Sequence, residues 1–255
     1  MVQHLSLPTP GILILRPAEQ ATDTVRLVER QGWRAIPFPT IEITAANQEK
    51  NREIFSTLET FNWIIFISQN AVHHFVSQLP QDHGVLPAIA TVGKATTLAA
   101  QHAGLVVKVQ PEEDFSSEGL LNTAVLQRLE GQKILIVRGN GGRELLATTL
   151  SQRGAQVSYA EVYQRRLPEA DTGWLVQNWR PHVSVILATS SQLLDNLITL
   201  IGNALGNLVL ETPVVVISPR MQQHAEQLGF KKIWLADGPT NDQMIETIKT
   251  NITLN

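Results

Sequence analysis

The chain contains no cysteine, which excludes disulfides, thiolate metal sites, thiol nucleophiles and thioether-linked cofactors. Charge is also sparse: charged residues make up 17% of the 255 and the formal net charge is −3. No general field therefore draws nucleic acid, a membrane surface or another polyanion, and an acidic ligand would have to be held by local chemistry. No stretch approaches the ~20 apolar residues that span a bilayer. The opening segment, Met1 to Pro10, lacks the basic start and sustained apolar run of a secretory signal, so a cytoplasmic protein is expected. Aromatic residues make up only 5%, with two tyrosines and five tryptophans. The tryptophans, Trp33 and Trp63 among them, are expected in or beside strands as core, and no nucleic-acid motif accompanies them. Nothing among the histidines matches metal-ligand spacing. His73 and His74 are adjacent, His4 and His83 fall in expected loops, and surface or packing roles are expected for all of them. Carboxylates are scattered, Glu112-Glu113-Asp114 reading as a solvated loop.

What the chain does have is a plan used twice. Ile134-Leu135-Ile136-Val137-Arg138 nearly repeats Ile12-Leu13-Ile14-Leu15-Arg16 at an offset of 122 residues, which also brings Gly154 onto Gly32. Phe66-Ile67-Ser68-Gln69-Asn70 corresponds to Ala188-Thr189-Ser190-Ser191-Gln192 at the same offset. Later matches slip to 125 and 124, pairing Thr91-Val92-Gly93 with Val216-Ile217-Ser218 and Ser116-Ser117-Glu118 with Thr240-Asn241-Asp242. Small slips of this kind are loop insertions within a duplicated unit whose period is too long for a solenoid.

Short apolar runs alternate with helical spacing. Ile12 to Leu15, Trp63 to Ile67, Ala88 to Val92, Leu105 to Val109, Lys133 to Val137, Val183 to Ala188, Val214 to Ile217 and Lys232 to Leu235 are predicted strands. Their near-continuous hydrophobicity suits parallel strands covered on both faces. Gly32, Gly104, Gly154 and Gly229 stand where the intervening helices should end. The fold class is therefore α/β, with two parallel-sheet lobes. The alternation weakens at Ile36 to Glu42 and at Glu161 to Pro168, which read as extended connections between lobes.

In open parallel sheets, ligands collect at the carboxyl ends of the strands, where helix N-termini present unpaired N–H groups. The residues expected there are Arg16, Ser68 and Asn70, Gly93 and Lys94, Ser116 and Ser117, Arg138, Gly139 and Arg143, Thr189, Ser190 and Ser191, Ser218 and Arg220, and Thr240. They form an anion site rich in donors, without a dedicated acid, base or metal. Arg138-Gly139-Asn140-Gly141-Gly142-Arg143 is neither a Walker loop nor a complete dinucleotide fingerprint, because Glu144 stands where the third glycine belongs. Carboxylate binding, a plain strand-to-helix turn and nucleotide binding all stay open for it. The hydroxyl residues would also serve as ordinary helix N-caps. Tyr163, in the second connection beside Arg165 and Arg166, either packs over a sheet edge or donates its phenolic proton to a departing hydroxyl.

The order and spacing of these segments resemble uroporphyrinogen-III synthase. The segments are Arg16-Pro17, Phe66 to Val72, Thr91 to Thr96, Phe115 to Glu118, Val137-Arg138-Gly139, Val162-Tyr163, Thr189-Ser190 and Pro239-Thr240. The resemblance implies two flavodoxin-like domains joined by a two-stranded linker, with the ligand cleft between them. One domain would combine residues 1–37 with 167–255, the other would span 42–160, and 38–41 and 161–166 would be the linker. Periodicity alone would cut the chain near its middle. The activity implied is cyclisation of hydroxymethylbilane, a linear tetrapyrrole, to uroporphyrinogen III. Water is lost, an azafulvene cation forms, and ring D is reversed through a spiro intermediate. Implied too are no cofactor, no metal, a monomer, and a role in porphyrin and heme biosynthesis, with transient contact to the preceding pathway enzyme left open. Tyr163 would be catalytic and the strand-end residues above would bind substrate. Where many members carry a Gly-Pro-Thr-Thr turn, this chain has Ser218-Pro219-Arg220-Met221, so Arg220 would take a carboxylate in place of a hydroxyl contact. Two other readings of the residues are a non-catalytic two-lobed cytoplasmic binding protein for a polycarboxylate and a two-domain glycosyltransferase. The missing export signal counts against a periplasmic version of the first, and the second lacks a convincing diphosphate loop.

Overall fold

The computed structural model describes residues 9–81, 83–141 and 144–252, without the side chains of Gln48 and Lys50. His4, Gly142 and Arg143 lie outside the described residues. The first repeat runs β1 (Gly11–Ile14), α1 (Ala18–Arg30), β2 (Arg34–Pro37), β3 (Glu42–Ala45), α2 (Gln48–Phe55) and β4 (Trp63–Phe66). It continues with α3 (Gln69–Gln78), β5 (Ala88–Thr91), α4 (Lys94–His102), β6 (Val107–Val109) and α5 (Ser117–Leu121). The second runs β7 (Lys133–Gly139), α6 (Leu145–Gln152), β8 (Gln156–Arg166), α7 (Gly173–His182), β9 (Val185–Leu187) and α8 (Ser191–Leu205). After these come α9 (Asn207–Glu211), β10 (Val214–Val216), α10 (Pro219–Leu228), β11 (Ile233–Leu235) and α11 (Asn241–Ile252). Among the described residues no helix is long and apolar enough to cross a membrane.

The chain divides into two compact units, residues 1–42 with 166–255, and residues 43–165. One sheet has the order β11-β10-β9-β1-β2 and the other β3-β8-β7-β4-β5-β6. The strand-helix-strand segment that opens each repeat is therefore paired with the remainder of the other repeat: β1 lies parallel to β9, and β7 parallel to β4. Numbered within its own unit, the first sheet has the 2-1-3-4-5 order of flavodoxin-like folds, which reverses direction between β1 and β9. The equivalent reversal in the second sheet falls between β4 and β7.

Burial explains why these strands form. Ile12, Ile14, Val185, Leu187 and Val215 of the first sheet pack against Ala21 and Val28 of α1 and Met244, Ile245 and Ile248 of α11. In the second unit, alternation along β4 sends Ile64 and Phe66 to one face and Ile65 to the other, so a single strand feeds two cores. Phe75 stands edge-on to both Phe55 and Phe66, with centroids 5.2 Å apart, a favoured aromatic geometry. The repeat shows in the helix ends too. Gly32 after α1 and Gly154 after α6 have φ of 75° and 90°, left-handed values that glycine adopts without steric cost.

Three strands were not anticipated in full. β2 contains Pro37 and is an edge strand, where a missing N–H is tolerated. β8 alternates exposed and sheltered residues over its first half, a signal weaker than a wholly apolar run. Residues 161–166, read from sequence as an extended connection, continue β8. The short β3 carries no fully buried residue. The tryptophans differ as well: Trp174 and Trp179 lie on α7, not in or beside strands. Trp179 is buried with Nε1 donating to Thr212 Oγ1 at 2.9 Å, whereas Trp174 is 52% exposed and stacks on His182.

Candidate functional site

In the first unit, β1 is wholly buried, and Pro17 then opens α1. Arg16 is left at the carboxyl end of the strand, beside the reversal point. Its Nε donates to Thr189 Oγ1 at 3.3 Å and its Nη1 to Asn241 Oδ1 at 3.0 Å and Thr24 Oγ1 at 3.4 Å. Every one of these acceptors is neutral. Burial of the guanidinium lowers the Arg16 pKa, because desolvation disfavours the charged form. Ser190 holds the N-cap position of α8 but its hydroxyl does not bond the helix, and Ser191 begins the helix half-buried. Ser218 caps α10 by accepting from the Met221 N–H at 3.3 Å, and Arg220 is exposed in the next turn. Thr240 forms a capping box with Gln243: its N–H and hydroxyl both donate to Gln243 Oε1, at 3.2 and 2.7 Å, and its Oγ1 accepts from the Gln243 N–H at 3.3 Å.

In the second unit, Ser68 ends β4 and caps α3, accepting from the Ala71 N–H at 3.1 Å. The same Oγ lies 3.2 Å from the Tyr163 hydroxyl, which accepts from Arg165 Nη2 at 3.2 Å. Tyr163 is only 1% exposed; its ring stacks on His74 at 5.7 Å and lies over Gly139. A Cβ at Gly139 would stand 2.5 Å from that ring, so the absence of a side chain there is what admits the tyrosine. Asn70 is half-buried in the first turn of α3. Gly93 is the N-cap of α4, and Lys94 beside it places Nζ 4.5 Å from the centre of the Phe115 ring. Ser116 caps α5, accepting from the Gly119 N–H at 3.0 Å.

Ser116 and Ser117 also line a cavity of ≈ 280 Å³ with Arg138 and Tyr159, over Ile67, Ile136 and Leu146. Arg138, 8% exposed, is engaged by two carboxylates: Nη1 meets Glu144 at 3.0 Å and Nη2 meets Glu161 at 3.3 Å. Its guanidinium stacks 3.9 Å from the centre of the Tyr159 ring, and among the described residues its buried Nε has no hydrogen-bond partner. Desolvation lowers the Arg138 pKa, but the bonds and charges of Glu144, Tyr159 and Glu161 outweigh it and raise the pKa overall. Tyr159 donates to Glu144 Oε2 at 2.5 Å. Burial first, then the Glu144 carboxylate, push this phenol up to about 12. Arg143, the other arginine of this loop, is beyond the described residues.

Four of the predicted hydroxyls, Ser68, Ser116, Ser218 and Thr240, thus act as helix caps, and Ser68 has a second partner in Tyr163. The structure brings Arg16 to Thr189 and Ser68 to Tyr163, one pair at the reversal point of each sheet. Sequence reasoning named Asn241 as a polar residue after a strand but not as a partner of Arg16, and it missed Thr24 around Arg16, Glu144 and Glu161 around Arg138, and Arg165 and His74 around Tyr163. The basic pair beside Tyr163 was the available signal for Arg165. The arrangement offers hydroxyl and guanidinium donors for an anion and one phenol–hydroxyl pair able to pass a proton.

The family model and the curated relatives name one family. The family model described as Uroporphyrinogen-III synthase HemD matches residues 22–246. The uroporphyrinogen-III synthase of Escherichia coli (strain K12) is 31% identical over 245 residues, covering 94% of this chain and 100% of that protein. The putative uroporphyrinogen-III synthase of Methanothermobacter thermautotrophicus is 30% identical over 230 residues, covering 86% and 90%. Among solved structures, the uroporphyrinogen-III synthetase of Helicobacter pylori 26695 superposes with a TM-score of 0.65 at 15% identity, covering 97% of this chain and 100% of that one. A mutant synthase from the extremely thermophilic bacterium Thermus thermophilus gives 0.64 at 14% identity with the same coverage, and both likenesses concern the fold alone.

Proposed function

Because the chain belongs to the uroporphyrinogen-III synthase family, we propose that it cyclises hydroxymethylbilane to uroporphyrinogen III, reversing ring D through a spiro intermediate. The observation that carries this is the family match across residues 22–246. In reaction terms the chain is a carbon–oxygen lyase of the hydro-lyase kind: the hydroxyl on the ring A methylene leaves as water, and ring D captures the resulting azafulvene cation.

Much of that chemistry is intrinsic to the pyrroles. The free precursor closes spontaneously to the unreversed isomer, so the protein's task is chiefly to orient rings A and D. Donors at the strand ends suit a substrate bearing eight carboxylates. In the first unit these are Arg16, Thr189, Ser190, Ser191, Ser218, Arg220 and Thr240; in the second they are Asn70, the backbone N–H groups at Gly93 and Lys94, Ser116 and Ser117.

Loss of the hydroxyl requires a proton. Tyr163 is too deeply placed to touch substrate directly, and Ser68 Oγ, 3.2 Å from the phenol, is half-buried. In the proposed step the Ser68 hydroxyl gives its proton to the departing oxygen and takes one from Tyr163. The N–H from Arg165 steadies the negative charge that develops on the phenol oxygen. The proton released when the last pyrrole regains aromaticity returns along the same pair, so protons balance over the cycle.

The reading places this activity in the cytoplasm, on a monomer. Spontaneous closure of the free substrate favours transient contact with the enzyme that makes it. The test is to supply freshly made hydroxymethylbilane, oxidise the products and separate the porphyrin isomers. Predominance of the reversed isomer supports the proposal, and binding without any change in isomer proportions would favour the non-catalytic polycarboxylate-binding module.

A further inference from the structure

Arg16 and Arg138 occupy equivalent places in the two repeats, 122 residues apart, each following the first strand core of its repeat. Their surroundings have diverged. Arg138 is held between Glu144 and Glu161, so its charge is more than cancelled. Among the described residues Arg16 is held only by the neutral oxygens of Thr189, Thr24 and Asn241, and its Nη2 has no hydrogen-bond partner. The serines that follow the neighbouring strands, β4 beside β7 and β9 beside β1, differ in the same sense. Ser68, at the reversal point of the second sheet, has its Oγ engaged by the Ala71 N–H and by Tyr163. Its equivalent, Ser190, is half-buried at the start of the 15-residue α8 with a hydroxyl that makes no capping bond.

We infer that duplication has divided one arginine position into two roles, and that Arg16 with Ser190 forms a receptor for a single carboxylate of the substrate while Arg138 is a structural clamp. A half-buried guanidinium without a counter-charge is costly unless an anion completes it. The polar groups around Arg16 fix its plane without neutralising it. That is preorganisation for a carboxylate, which a guanidinium meets through two parallel N–H donors. In the second unit the same position already holds its carboxylates from within the chain, so a substrate acid group would have to displace Glu144 or Glu161.

This inference rests on the proposed function, and the test separates the two. Binding of uroporphyrin III, the stable octacarboxylate obtained by oxidising the product, is measured by quenching of tryptophan fluorescence over a range of salt concentrations. Arg16→Gln should weaken binding roughly tenfold or more, flatten its salt dependence, and cause a larger loss than Arg138→Gln, whose main effect should be a lower melting temperature. Arg16→Lys should recover part of the affinity. A folded Arg16→Gln protein that binds as tightly as wild type overturns the inference. Should Arg16→Gln fail to fold, Ser190→Ala decides, since among the described residues that hydroxyl makes no capping bond to lose: weakened binding supports the receptor, and unchanged binding overturns it. Wild-type protein that neither binds uroporphyrin III nor forms the reversed isomer would sink the functional reading, and the receptor with it.

Discussion

The Ser68 Oγ lies 3.2 Å from the Tyr163 hydroxyl, joining the helix cap that ends β4 to the buried phenol of β8. If protons pass between them, Tyr163→Phe should lower kcat by about 100-fold, the low end for a general acid because a phenol is a weak one near neutral pH. KM should change little, since the carboxylate contacts remain. Ser68→Ala should lower kcat as well and also cost about 1 kcal/mol for the lost cap. Steady-state kinetics with denaturation curves checks both. Wild-type turnover in Tyr163→Phe removes the tyrosine from the mechanism, and wild-type turnover in Ser68→Ala removes the serine.

Gly139 is needed for its lack of a side chain. An added Cβ would stand 2.5 Å from Tyr163 Cε2 and 2.6 Å from Cζ, and a packed ring with His74 on it has little room to retreat. Gly139→Ala should therefore destabilise the protein by about 1–3 kcal/mol, as overpacking does, and reduce kcat by displacing the phenol from Ser68. Urea denaturation gives the first quantity. Unchanged stability would mean that the ring is free to shift.

The Arg138 cluster should show itself at both ends of the pH scale. The hydrogen bond from Tyr159, then the bond and charge of Arg138, lower the Glu144 pKa. Stability from this carboxylate is present above its unfolded pKa of about 4.3 and should fall away as pH drops through the lower folded value. Glu144→Gln should remove that acid-side loss. Tyr159 has the opposite sign. Its pKa is raised to about 12, so its contribution is complete below pH ~10 and lost as pH climbs through the folded pKa. The chain has two tyrosines, so phenolate absorbance in a Tyr163→Phe background reports Tyr159 alone. It should titrate near 12, and move toward 10 when Glu144→Gln is added. Titration near 10 with Glu144 intact would contradict the network.

The buried strands and the repeat were legible from sequence because burial on both faces leaves an uninterrupted apolar run, as in β1, β4 and β7, and because a shared offset aligns strand ends such as Arg16 with Arg138. β2 and the first half of β8 were not, since an edge strand containing Pro37 and a stretch exposed on alternate residues each lack that run. The site divides similarly. Ser68, Thr189 and Arg16 could be named as polar residues following strands. Whether an arginine is cancelled could not, because Glu144 and Glu161 reach Arg138 from a helix start and a neighbouring strand, and their sequence positions look like scattered surface acids. Asn241 meets Arg16 across 225 residues of chain, a separation that no local pattern records.

The most direct test of the account is the isomer composition formed from hydroxymethylbilane as protein is added against the spontaneous reaction. The reversed, type III isomer should rise with protein toward the whole of the product, and should stay the dominant enzymatic product in Tyr163→Phe even as its rate falls. A product that remains the unreversed isomer at saturating folded wild-type protein would contradict the claim that this chain dictates how ring D closes.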